Sequence, residues 1–401
     1  MKGSLWWAFM IVLLLAASLA GRGALVMVAL MLALTTLVSS TWGRHTLTNV
    51  SYRRQLGKAN LRYGEETSLV IEIVNSKFLP LAWLRALDAF PLKLTVSTAP
   101  LQHTQMHDSG LLVTLLSLRW FERVRHIHRI TGSHRGRFLI GPVELSSADI
   151  FGFNRSYRTD PVYDVVTVYP RIVPIRELVY PAGRPVGEVL GQRRIIEDPL
   201  RFSAVREYRT GDNPRHIHWR ASARTGQLQV KIFDPSETIA LMLAVDVQTS
   251  DEAYAYVADW LELVLSAAAS VAVDSLERRH MVGLYLNSIG PRGERWLTVS
   301  PGRHERQAAD LLGTLAAAEP FRGSPFVEMV RSMRINLPYG TTVVAITASP
   351  SDELYEALGL LQEAGHPVSL LTVGDMPPVV PERIESHHLG GSDAWQRLQA
   401  L

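Results

Sequence analysis

The chain has 401 residues, no cysteine, 47% hydrophobic residues and a formal net charge of +3. That length predicts two or three structural units, and the lack of cysteine excludes disulfides, thiolate catalysis and cysteine-built zinc sites. A small excess of 41 basic over 38 acidic side chains is not the strong, localised bias of a nucleic-acid binder.

Two charge-free apolar runs open the sequence: LWWAFMIVLLLAASLA (Leu5 to Ala20) and ALVMVALMLALTTLVSSTW (Ala24 to Trp42), separated only by Gly21, Arg22 and Gly23. Each approaches the roughly 20 residues that cross a hydrocarbon core of about 30 Å. Two spans so close together must turn back on each other, so a transmembrane helical hairpin is expected over residues 1–45. Lys2 precedes the first run, and Arg44, Arg53, Arg54 and Lys58 follow the second. The basic flanks predict a multi-pass protein of the inner (plasma) membrane, with both termini and the soluble domains in the cytoplasm. Small residues at Ser18 and Ala20 also resemble a signal-peptide cleavage site, but the second run would then act as a stop-transfer segment. Neither run carries an ionisable side chain, which suits an anchor rather than a transport path.

Residues 56–170 read as strands. TSLVIEIVNSKF alternates Leu69, Ile71 and Ile73 against Ser68, Val70 and Glu72 and ends in an Asn-Ser turn signal. LLVTLLSLRW, RFLIGPVELSSADIFGF and YDVVTVYP are further short strands bounded by Gly, Pro and Asp. Such spacing predicts a small β-sandwich-like domain. Residues 171–237, rich in Pro and Gly at their start, read as a connector.

From residue 238 to 376 strands and helices alternate. IALMLAVDV has the continuous apolar character of a doubly covered parallel strand. A long helical stretch follows, with Ser250 and Asp251 as its start signal. Then come the strand MVGLYLN, two helical stretches, the strand TTVVAIT, a helix opened by Ser351 and Asp352, and the strand VSLLTV. The pattern predicts a doubly wound, mainly parallel α/β domain, with residues 377–401 as a tail.

Between connector and α/β domain lies REYRTGDNPRHIHWRASAR, residues 206–224. Its TGDNP is turn chemistry. Glu207, Tyr208, Gly211, Asp212, Arg215, Ile217, His218, Trp219, Ser222, Ala223 and Arg224 resemble the signature of the domain of unknown function family 58. HRGRFLIGPVELSSADIFGF, with Asp149 to Gly152, resembles that family's second conserved segment. The resemblance implies a C-terminal domain similar to von Willebrand factor type A domains, and association with a MoxR-type AAA+ ATPase. It therefore implies a membrane-tethered interaction protein working with that ATPase and supplies no biochemical activity; the expected function is an adaptor in the assembly or maturation of client proteins, with no catalysis of its own.

Type A domains hold Mg²⁺ through an Asp-x-Ser-x-Ser loop, and hard oxygen ligands suit that ion. Here the loop reads DVQTS: Asp246 and Ser250 match, Gln248 replaces a serine, and Ala348 and Ser349 stand where a further acid belongs. So few acids predict a retained fold with a lapsed site and no cofactor, Mg²⁺ on Asp246, Gln248 and Ser250 being the alternative. His216 and His218 share a face of an extended segment; with Asp212 they suggest a metal-dependent hydrolase as the alternative function. The arginines suggest nucleic acid, but Glu207, Asp212 and Asp234 lie close enough in sequence to pair with them. The leading expectation is a brace, in which Arg215, Arg224 and Asp212 form ion pairs and Trp219 is an apolar plug. A partner-docking surface stays open beside it. No phosphate loop, nucleophile elbow or dinucleotide fingerprint occurs.

Overall fold

The computed structural model describes residues 12, 23–98, 100–103, 109–174, 196–209, 217–236, 240–250, 252 and 255–400. Of the first apolar run only Val12 is included, so the expected hairpin lies outside the described residues. The chain divides into two compact units, Met1–Tyr169 and Pro170–Leu401.

The first unit opens with helix α1 (Gly23–His45). Its stretch Val26–His45 has a mean hydropathy of 1.7 and is long and apolar enough to cross a membrane. Met27, Leu30, Met31, Leu34 and Leu37 are exposed along it. The hydroxyls of Thr35, Thr36 and Thr41 donate to carbonyls three or four residues back, which satisfies them within the helix itself.

The β-rich part follows at once. Its strands are β1 (Val50–Leu56), β2 (Asn60–Leu61), β3 (Glu66–Asn75), β4 (Leu81–Pro91), β5 (Thr95–Val96) and β6 (Gln102–His103). They continue as β7 (Ser109–Leu118), β8 (Arg123–Thr131), β9 (Gly136–Ile140), β10 (Val143–Ala148), β11 (Arg155–Asp160) and β12 (Asp164–Val168). They form sheets of order β1-β3-β8-β5, β11-β10-β4-β7-β6 and β2-β12-β9. The expected alternation holds in β3, where Leu69, Ile71 and Ile73 are buried in one core with Leu84, Phe90 and Leu145.

The first strand begins at Val50 rather than near Leu56, for a reason the charge pattern hides. Arg54, counted above as a membrane flank, is buried. Its guanidinium meets Asp88 at 2.6 Å and Asp164 at 2.8 Å, and Tyr52 donates to Asp88 at 2.6 Å. Burial pushes the Asp88 carboxyl up to about 6 although the Arg54 charge and the Tyr52 hydrogen bond act the other way.

In the second unit residues 196–236 are more than a connector. β13 (Ile196–Glu207) and β14 (Gln229–Ser236) pair antiparallel, and the short helix α2 (Trp219–Thr225) lies between them in sequence. The α/β part then runs β15 (Ala240–Val245), α3 (Ala258–Glu277), β16 (Met281–Leu286), β17 (Leu297–Gly302), α4 (Gln307–Ala316) and α5 (Phe326–Asn336). It ends with β18 (Thr342–Thr347), α6 (Asp352–Glu363), β19 (Val368–Thr372), β20 (Glu385–His388) and α7 (Ser392–Ala400). The sheet order is β17-β16-β15-β18-β19-β20, parallel except for the β16/β17 pair. β18 and β19 are buried throughout, as strands covered on both faces are.

Two expectations change. α3 starts at Ala258, with Val257 as its N-cap residue, rather than after Ser250. The Thr249 hydroxyl accepts the Val257 N–H at 2.9 Å, which ties the residue just before the helix to the loop that follows Asp246. The expected tail also joins the fold: β20 adds to the sheet edge beside β19, and Ala394, Trp395 and Leu398 of α7 are buried. The short, polar ESHH and the sparsely apolar helix after it carry too little periodicity to announce either element.

Candidate functional site

Asp246 directly follows β15, and its N–H donates to Ile346 O at 2.9 Å. Its side chain is buried. Oδ1 accepts from Asn287 Nδ2 at 2.7 Å and from the Gln248 N–H at 3.0 Å. Oδ2 accepts from the Thr347 hydroxyl at 2.7 Å. Asn287 follows β16 and Thr347 ends β18, so the carboxyl ends of three neighbouring parallel strands converge here, the edge where open α/β sheets bind ligands. Burial raises the Asp246 carboxyl to about 6, against the lowering effect of the Thr347, Gln248 and Asn287 hydrogen bonds and of the Arg322 charge.

The neighbouring donors close the site further. Arg322 donates through Nη1 to Gln248 Oε1, and Gln248 Nε2 donates to Ser250 O at 3.2 Å. The Ser250 hydroxyl accepts the Glu252 N–H at 3.2 Å. Thus Asp246 and Gln248 already have protein partners for their oxygens, and a guanidinium is bonded to the loop. These residues do not fit Mg²⁺, which takes oxygens that are free to coordinate and gains from negative charge. Among the described residues no group of three or more His, Asp or Glu side chains is placed to hold a metal ion. The sequence reading missed Asn287, Arg322 and Thr347; for Asn287 and Thr347 the usable signal was a polar residue directly after, or ending, an apolar strand, whereas Arg322, between α4 and α5, carries no such signal.

The signature stretch is seen in part, since Gly211, Asp212, Arg215 and His216 lie outside the described residues. The Tyr208 N–H donates to Leu228 O at 2.8 Å. His218 is the N-cap of α2: its Nδ1 accepts the Ala221 N–H at 3.1 Å, filling one of the free donors of a helix start. Its own N–H donates to Gln229 O at 2.7 Å. The Ser222 hydroxyl donates to His218 O at 3.1 Å and accepts the Gln229 N–H at 2.8 Å, joining helix to strand. Gly226, at φ 72°, ends the helix in the left-handed conformation. His218 and Ser222 therefore act as braces.

Trp219 does not plug the core: 69% of it is exposed. Arg220 and Arg224 on the same short helix are exposed too. The second motif has a structural task in the first unit. Asp149 is buried; its Oδ1 accepts the Asn154 N–H at 2.8 Å and its Oδ2 accepts from the Ser39 hydroxyl of α1.

A family described as "Protein of unknown function DUF58" matches residues 204–346, the span from the signature stretch to the end of β18. The uncharacterized protein YeaD of Bacillus subtilis (strain 168) is 25% identical over 239 residues, covering 59% of this chain and 55% of YeaD. The chain thus spans little more than half the length of that relative. Among solved structures, a non-cellulosomal cohesin from Archaeoglobus fulgidus is 11% identical, with a TM-score of 0.20, covering 29% of this chain and 91% of the cohesin. The sporulation control protein Spo0M from Bacillus subtilis is 13% identical, with a TM-score of 0.20, covering 33% of this chain and 54% of Spo0M.

Proposed function

We propose that this chain is a membrane-anchored protein-interaction module, an adaptor that works with a MoxR-type AAA+ ATPase on client proteins and catalyses no reaction itself. The observation that carries it is Trp219, 69% exposed beside Arg220 and Arg224 on a helix fixed at its start by His218 and Ser222. Trp and Arg are the side chains that dominate protein–protein binding energy when a partner covers them. A capped helix holds them ready, so little ordering opposes association. The strand order and the place of Asp246 after the first parallel strand support a von Willebrand factor type A-like α/β domain. Its Asp246 site is closed by Asn287, Thr347 and Gln248 and has a structural role. The apolar Val26–His45 stretch, paired with Leu5 to Ala20 in a hairpin, supplies the anchor in the inner membrane, the soluble parts facing the cytoplasm.

The test is a photo-crosslinking side chain in place of Trp219 in the full chain in native membranes. A specific adduct to an AAA+ ATPase, lost when Arg220 and Arg224 are both changed to Ala, is the expected result. A surface that yields no adduct while the protein stays folded and membrane-bound would refute it.

A further inference from the structure

Two exposed aromatic clusters among the described residues of the first unit sit at one end of its β-rich part, the end that α1 enters. Three turns meet there: residues 76–80 between β3 and β4, 119–122 between β7 and β8, and 149–154 between β10 and β11. The register places them together, since Val50 at the start of β1 pairs with Asn75, Leu81 with Leu118, Val74 with Arg123, and Ser147 near the end of β10 with Leu84 near the start of β4. Every one of these turns carries exposed apolar side chains: Phe78, Trp120, Phe121, Ile150, Phe151 and Phe153 are 46–73% exposed. They form ring clusters rather than scattered residues, Phe78 lying 5.4 Å from Trp120 and Phe151 6.1 Å from Phe153.

Both clusters are tied to the end of α1. Lys77, next to Phe78, donates through Nζ to Thr46 O and, at 2.8 Å, to Thr48 O. The 149–154 turn reaches back along the helix: Asn154 Nδ2 donates to the Ser39 hydroxyl at 2.7 Å, which donates in turn to Asp149. Approach there is so close that a side-chain carbon on Gly43 would stand 2.6 Å from Asn154 Cβ. Ser39 precedes Trp42 by three residues, about 5 Å of helix rise. It also lies six residues, about 9 Å of helix rise, before the end of the apolar Val26–His45 stretch, so a turn held at Ser39 sits beside the last turns of that stretch. Part of its polar backbone is paired within the turn: the Asp149 N–H donates to Asn154 O and the Gly152 N–H to Asp149 O, both at 3.1 Å, and the Asn154 N–H donates to Asp149 Oδ1 at 2.8 Å. Arg44, Arg119, Arg123 and Arg155 are exposed at the same end. Aromatic tips with a basic surround are the composition that binds the interface of an anionic bilayer.

We infer that this end of the β-rich part is a membrane-docking face: Phe78, Trp120, Phe121, Ile150, Phe151 and Phe153 insert into the headgroup and upper acyl region of an anionic phospholipid leaflet. The inference rests on the membrane-anchored reading of α1. Docking of this kind fixes the β-rich part against the bilayer, so that it cannot swing freely about the helix end.

The chain has no native cysteine, so single-site labels are unambiguous. Full-length Phe153→Cys, Phe78→Cys, His134→Cys and Leu34→Cys proteins would each carry an environment-sensitive fluorophore. They would be reconstituted in vesicles of phosphatidylcholine and phosphatidylglycerol in roughly equal parts. The quenchers are lipids spin-labelled near the headgroup end of the acyl chain, which reports positions 78 and 153, or near its terminal methyl, which reports position 34 at the middle of the Val26–His45 stretch, and aqueous iodide. His134 lies in the turn between β8 and β9, at the opposite end. Labels at 153 and 78 should be quenched by the lipid at least about threefold more strongly than the label at 134. If they behave like the label at 134 while the label at 34 is quenched, the docking face is wrong and the anchor stands. Shielding from iodide without lipid quenching would mean that a protein covers the face, which also overturns the proposal. An unquenched label at 34 would remove the anchor and the docking face together.

Discussion

The Asp246 site offers a decisive perturbation, because a buried carboxylate and a metal ligand respond oppositely to loss of charge. In Asp246→Asn one oxygen remains for the Asn287 and Gln248 donors. The new amide faces Thr347, whose hydroxyl, already accepting the Ser349 N–H at 3.0 Å, has a second lone pair to accept it. The charge that burial penalises is gone. Asp246 is raised from 3.8 to about 6, roughly two pK units or at most about 3 kcal/mol against the ionised form. The folded chain thus holds this proton more tightly than the unfolded one, and the site's contribution to stability is present below about pH 4 and lost as pH rises to about 6. The Asn variant should be as stable as the parent near pH 4 and more stable at pH 7.5. Asp246→Ala, which strands three buried donors at about 1 kcal/mol or more each, should fall about 3 kcal/mol below the Asn variant. Hydrogen exchange of the β15 and β18 amides in the full chain in detergent reports this unit alone. Millimolar Mg²⁺ should change it by less than about 0.5 kcal/mol. An Asn variant less stable than the parent at pH 7.5, together with a Mg²⁺ effect that Asp246→Asn abolishes, would refute the closed-site account.

Arg54→Met removes the cation between Asp88 and Asp164 and should destabilise the first unit by about 3–5 kcal/mol at pH 7.5, since a buried carboxylate loses its partner. Asp88 is itself raised to about 6, so the loss should shrink below pH 5, as urea unfolding at the two pH values will show. Ser222→Ala leaves the His218 carbonyl and the Gln229 N–H without their hydroxyl partner and should lower protection of α2 and β14 amides by about 1–3 kcal/mol. Trp219→Ala, exposed, should leave that protection within about 0.5 kcal/mol. Gly43→Ala crowds Asn154 and should weaken the seating of α1 on the 149–154 turn by about 1–3 kcal/mol, visible as faster proteolysis in that turn; unchanged cleavage would argue against close packing there.

Periodicity alone determined much of this protein. The second apolar run is a 23-residue helix, and the alternation of β3 and the unbroken apolar β15, β18 and β19 appear as expected, because burial on one face or both is written directly into residue spacing. The Ser351 cap was equally legible: its hydroxyl accepts the Leu354 N–H, a contact three residues away in sequence. What the sequence could not decide were the fates of polar side chains that meet across long separations. Arg54 looked like a membrane flank, and only the approach of Asp88 and Asp164, 34 and 110 positions on, makes it a buried tie. Asp246 looked like the remnant of a metal loop until Asn287 and Thr347, 41 and 101 residues later, supplied its donors. Trp219 looked like core because tryptophan usually is; the His218 cap and the Ser222 link turned α2 so that it faces solvent. A polar or aromatic residue has no period that tells its destination, since its energy depends on which partner the tertiary fold brings within about 3 Å.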